Sequence, residues 1–65
     1  MKDSNTEENI LRAATSIFQK RGLAGARMQE IADEAYINKA ILHYYYRSKL
    51  KLFEAVFMQA FKKLV

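Results

Sequence analysis

The residues best suited to chemistry are bunched in one stretch of the chain. Between positions 36 and 53 stand Lys39, Arg47, Lys49 and Lys51, with no acidic residue among them. His43, Tyr44, Tyr45 and Tyr46 are interleaved with these cations. Residues 1–35 carry five basic and six acidic side chains, and residues 54–65 add only Glu54, Lys62 and Lys63. The net charge of +4 is therefore concentrated in the middle segment. Ammonium and guanidinium groups pair with phosphate oxygens, phenol hydroxyls donate to them, and lysine also bonds the acceptor edge of guanine. A localised positive stretch is the electrostatic pattern of a polyanion footprint. A solvated helix face carries the same four cations equally well, so charge alone leaves both readings open.

Other chemistries find less support. The chain has no Cys, which excludes disulfides and thiolate ligands. The single histidine, His43, has no second His and no carboxylates at ligand spacing, so no metal site is expected. Glu30, Asp33 and Glu34 have the spacing of a solvated helix face. A catalytic pair there would need a cleft that 65 residues cannot build. A non-enzyme without a cofactor is the expectation. No apolar run approaches the roughly 20 residues of a membrane span. The polar, acidic first residues are unlike a signal peptide. A cytoplasmic protein with no membrane partner is expected.

The elements that must position these residues follow from periodicity and capping. With 51% apolar residues, no Pro and two Gly, the chain favours packed helices over a turn-rich β fold. Ile10, Leu11, Ala14, Ile17 and Phe18 recur at helical spacing, predicting a first helix over about 6–21. Ser4 with Glu7, and Asn5 with Glu8, have capping-box spacing, and Gly22 stands where a left-handed residue would close the helix. Leu23–Ala26 reads as a connector. Met28, Ile31, Ala32 and Ala35 predict a short second helix over about 28–35, poorly marked at its start because Ala26 and Arg27 cap badly. Asn38 caps a third helix running to about Tyr45, with Leu42 and Tyr45 facing inward beside Ile41 or Tyr46. Ser48 caps a fourth over about 49–64. Leu50, Phe53, Val56, Phe57, Ala60, Phe61 and Leu64 give it one broad apolar face, which needs a partner beyond the first helix. The expected fold is all-α: a three-helix helix-turn-helix bundle of homeodomain type plus the first part of a fourth helix.

Two short helices joined by a tight turn, the second flanked by cations, meet the physical requirements of helix-turn-helix recognition. The Ile31-Ala32 pair and the runs Ile37-Asn38-Lys39-Ala40-Ile41-Leu42 and His43-Tyr44-Tyr45-Tyr46-Arg47-Ser48-Lys49 resemble the TetR (tetracycline-repressor-like) family of transcriptional regulators. The pattern from Ile10 and Leu11 to Phe18, followed by Gly22, is similar to that family's first helix, and Leu52-Phe53 with Val56 to its fourth. The likeness spans about residues 7–61. It implies a DNA-reading head. Lys39, Ala40 and Ile41, behind the capping residue Asn38, would meet base edges. His43 and Tyr44 would touch phosphates and groove edges. Lys49 would grip a phosphate at a helix N-terminus, and Arg27, Met28 and Gln29 would approach the backbone from the second helix. Met28 and Tyr45 are also natural core fillers.

The sequence departs from the family pattern at four places. Tyr36 replaces the glycine of the turn, where a positive φ would cost on the order of 1 kcal/mol; either that cost is accepted or the turn has another geometry. His43 replaces a tyrosine. Arg27 and Met28 stand where a threonine usually caps the second helix. Leu50 replaces an acidic residue. The resemblance further implies double-stranded DNA as partner, a homodimer for the full-length protein, and a repressor released by a small-molecule effector. That effector would bind in a second domain that these residues do not include. The alternative is a small interaction module that self-associates through the apolar face of the fourth helix.

Overall fold

The computed structural model describes the backbone of Lys2–Leu64 and the side chains of residues 5–62; the expectations for the side chains of Ser4, Lys63 and Leu64 lie outside the described residues. Four helices follow one another: α1 (Lys2–Gly25), α2 (Met28–Glu34), α3 (Lys39–Tyr45) and α4 (Lys49–Leu64). No strand occurs among the described residues. The core is a single cluster to which every helix contributes. Ile10 from α1, Ile31 from α2, Leu42 from α3 and Leu52 from α4 are each fully buried. Ala13, Ala14, Ile17, Phe18, Ala26, Ala32 and Ala35 complete it. α4 lies along α1, where the rings of Phe18 and Phe53 meet edge to face at 5.2 Å.

α1 differs from its expected form at both ends. It begins at Lys2, ahead of the expected start near Thr6, so Asn5 lies inside the helix. Nothing in Lys2–Asn5 breaks a helix: there is no Gly or Pro in that stretch. At the other end Gly22 does have positive φ, but at φ 74° and ψ 171° it sits outside the αL region. That conformation is open essentially to glycine alone. The first helix is broken at this residue, where its closure was expected, and a short second helical stretch follows. The Ala26 amide donates to the Gly22 carbonyl, and residues 23–25 make one more helical turn where a connector was expected.

The turn between α2 and α3 explains Tyr36. The Ile37 amide donates to the Ala32 carbonyl at 3.0 Å, and the Tyr36 amide to the Asp33 carbonyl at 3.1 Å. Those two bonds are the Schellman closure of a helix, which requires a left-handed residue between cap and exit. That residue is Tyr36, with φ 62°. The geometry that glycine normally serves is kept, and the steric cost of a Cβ is accepted. Ile37 then packs against the core, completing the closure with an apolar contact. The Asn38 side chain accepts the Ile41 amide at 2.9 Å and starts α3. The Ser48 hydroxyl accepts the Lys51 amide at 3.2 Å and starts α4. α2 starts with no side-chain cap, as its sequence suggested.

In α4 the buried arc is rotated by about a quarter turn from the broad face read in the sequence. Leu52 is fully buried and Phe53 and Val56 pack on the core, whereas Leu50, Phe57, Met58 and Phe61 point outward. Periodicity could not resolve this, because apolar residues occupy most of the helix circumference.

Two stability measurements check these assignments by thermal circular dichroism. Leu52→Ala should cost about 2–5 kcal/mol, as emptied core sites do, which exceeds the margin of a domain this small, while Leu50→Ala should stay within about 0.5 kcal/mol. Tyr36→Gly should stabilise by about 1 kcal/mol by removing the left-handed strain. Tyr36 is 94% exposed, so little packing is lost. A neutral or destabilising outcome would show that the turn is not strained.

Candidate nucleic-acid interface

α3 divides its residues between two faces. Leu42 is buried and Tyr45 and Tyr46 pack against the core; Ala40 and Tyr44 are exposed on the opposite side, and Lys39 is exposed in the first turn. Tyr46, not Ile41, shares the inward face, since Ile41 is 41% exposed. Seven residues give α3 a length of about 10 Å, which suits a DNA major groove about 12 Å wide. Leu42 is the pivot that fixes which residues point away from the core.

Three long-range polar contacts hold the frame around α3, and sequence reading missed all three. The Tyr46 hydroxyl donates to the Glu7 carboxylate at 2.6 Å, tying the end of α3 to α1 across 39 positions. Burial first, and then the Glu7 hydrogen bond and charge, hold the Tyr46 phenol well above its usual range. It therefore remains a protonated donor. The Arg21 guanidinium meets Glu30 at 2.6 Å and joins the end of α1 to α2. This pair is largely exposed and worth at most about 1 kcal/mol. The Lys49 ammonium donates to the Ala26 carbonyl at 2.9 Å and to the Ala24 carbonyl at 3.3 Å, stitching the start of α4 to the α1–α2 junction. None of these has a local signature, because the partners are far apart in sequence.

The expected site residues fall into distinct environments. Lys39, Ala40, Ile41 and Tyr44 are exposed on α3, with Tyr44 81% exposed and its ring edge-to-face with Tyr45 at 5.3 Å. Asn38 is exposed, but its side-chain oxygen is committed to the cap. Arg27 is exposed in extended conformation just before α2. Met28 is half-buried and packs on the core. Gln29 donates to Asp33 at 2.9 Å along the exposed side of α2. His43 is half-buried, with Nδ1 3.2 Å from the Arg47 carbonyl oxygen. Together with Tyr44 and Arg47 it lines an open hollow at the α3–α4 corner. Lys49 is half-buried on its two carbonyls. Among the described residues, no group of three or more His, Cys, Asp or Glu could hold a metal ion. No described helix is long and apolar enough to cross a membrane.

Known proteins share this arrangement. Residues 10–56 match the family model described as bacterial regulatory proteins, tetR family. The chain is 43% identical over 51 residues to the HTH-type transcriptional repressor NicS of Pseudomonas putida, covering 78% of this chain and 24% of that protein. It is 43% identical over 51 residues to the HTH-type transcriptional repressor SCO4008 of Streptomyces coelicolor, covering 78% and 27%. It is also 41% identical over 56 residues to the HTH-type transcriptional activator FasR of Mycolicibacterium smegmatis, covering 86% and 26%. The crystal structure of a HlyIIR mutant protein carrying a linker with two thrombin sites superposes with a TM-score of 0.88 at 43% identity, over 89% of this chain and 32% of that one. The chain thus spans about a quarter of the length of the curated relatives it matches. Matched in sequence over most of its length and in the placement of its helices, this chain belongs to the TetR family of bacterial regulatory proteins and has that family's all-α helix-turn-helix fold.

Proposed function

We propose that this domain binds double-stranded DNA in the service of transcription control, with α3 lying in the major groove. The observation that carries the reading is the division of α3 between a core-anchored face and an outward face bearing Lys39, Ala40 and Tyr44, in the most cationic segment of the chain. Lys39 and Ile41 suit base edges, a guanine acceptor pair and a thymine methyl respectively, while Arg27, Gln29 and Tyr44 suit phosphates. The relatives include named repressors and a named activator. Repression is our reading for the full-length protein, which would act in the cytoplasm as a homodimer. A small molecule bound in a further domain would alter the spacing of two such heads and release paired half-sites.

A second reading rests on a specific observation. Leu50, Met58 and Phe61 are each 56% exposed and Phe57 is 61% exposed, all along one side of α4. That side is where a further domain would seat, and in the isolated chain it offers a surface to a second copy.

Titration of the chain into mixed-sequence duplex DNA at several salt concentrations tests the first reading. With three or four phosphate contacts per head, log K should fall against log[salt] with a slope of about −3. Lys39→Ala should weaken binding while leaving the helical circular dichroism intact. A folded chain with no salt-dependent binding would exclude the reading. For the second, sedimentation should show association that rises with concentration and is lost in Phe57→Ser. A monomer at high concentration would rule it out.

A further inference from the structure

The α3–α4 corner holds three groups that the resemblance, or charge alone, would assign to the DNA backbone: His43, Arg47 and Lys49. Their hydrogen-bonding states differ. The Lys49 ammonium spends two of its three donors on the carbonyls of Ala26 and Ala24, and it is half-buried against them. The His43 ring places Nδ1 on the Arg47 carbonyl, which can only accept, so that nitrogen carries the ring hydrogen. A neutral imidazole has one N–H, and here it is already used. Its Nε2 is then an acceptor, which a phosphate oxygen does not satisfy. The Arg47 side chain is in the opposite situation. It is exposed, it has no carboxylate partner among the described residues, and it borders the hollow shared with Tyr44. Its backbone is fixed by His43 from behind.

We propose that Arg47, acting with the Tyr44 hydroxyl, is the phosphate-gripping group at this corner, and that Lys49 is a positioning residue. Lys49 holds the start of α4 against the α1–α2 junction, immediately before Arg27. It thereby sets the distance between two segments that meet the DNA backbone. His43 orients the Arg47 backbone through its Nδ1, which donates to the Arg47 carbonyl. A guanidinium offers a planar fork of donors suited to two phosphate oxygens, and the Tyr44 hydroxyl adds one more.

The assignment rests on the DNA-binding reading, and it is tested by comparing salt slopes on mixed-sequence duplex DNA. Arg47→Gln should weaken binding several-fold and reduce the steepness of log K against log[salt] by about 0.9, the value of one released counterion. Being exposed, this substitution should leave the thermal midpoint unchanged. Lys49→Met keeps the stem and removes the charge. At a temperature where dichroism shows it folded, it should weaken binding several-fold with the slope unchanged, and Lys49→Arg should restore the affinity. A reduced slope in Lys49→Met, with full slope in Arg47→Gln, would overturn the assignment. So would unchanged affinity in folded Lys49→Met, since Lys49 would then serve stability alone. If Lys49→Met does not fold, the Arg47→Gln slope decides. A wild-type chain that binds no DNA would remove this proposal together with the reading it rests on, whereas binding that survives Arg47→Gln with undiminished slope removes this proposal only.

Discussion

Four side chains, one from each helix, carry the fold: Ile10, Ile31, Leu42 and Leu52, all fully buried in one cluster. Helices of seven residues do not persist alone in water, because nucleating a turn costs more than a few hydrogen bonds return. α2 and α3 are each that short. They exist because Ile31 and Leu42 bury against α1 and α4. A domain of this size buries only about 60% of the surface of its unfolded chain, so its stability margin is thin. The functional face inherits this constraint. The direction in which Lys39 and Tyr44 point follows from the burial of Leu42, three residues after the one and two before the other.

Around that core the chain uses backbone and polar devices to fix angles that apolar packing leaves loose. Tyr36 holds the left-handed position that turns α2 into α3, and Asn38 caps the helix that follows. Tyr46 and Glu7 pin the end of α3 to α1, and Lys49 pins the start of α4 to the carbonyls of Ala24 and Ala26. These hydrogen bonds, of 2.6–3.3 Å between residues distant in sequence, add directional ties that apolar packing does not supply. Groups in the cationic segment therefore do different work. Some face outward, and others are consumed in holding the frame. Exposure and committed donors separate the two classes, while charge does not.

α4 shows a conflict between local pattern and tertiary use. It is apolar on more of its surface than α1 can cover, leaving Leu50, Phe57, Met58 and Phe61 in solvent. Scattered exposed apolar residues need no explanation, whereas four large ones along one side of a helix form a contiguous patch of the kind found at interfaces. The departure at Leu50 belongs to this face and adds to its apolar area.

The sequence by itself determined the number and order of the helices, the caps at Asn38 and Ser48, and the core positions Ile10, Ile31 and Leu42; at Tyr36 it marked the turn but left its geometry open. Each rests on information within one or two turns of chain: apolar spacing, a capping side chain or a residue type in a closure motif. The tertiary structure decided the rest. It showed that Leu52 is the residue α4 buries, because apolar residues spread around most of that helix and periodicity alone does not say which arc meets the core. It showed that residues 23–25, expected as a connector, make a separate helical turn beyond the break at Gly22, with Leu23 packed on the core. It placed the Lys49 ammonium on backbone carbonyls and left Arg47 exposed, although the two cations stand two residues apart and look alike in sequence. The partners that distinguish them lie more than twenty positions away, and only folding brings those partners within reach.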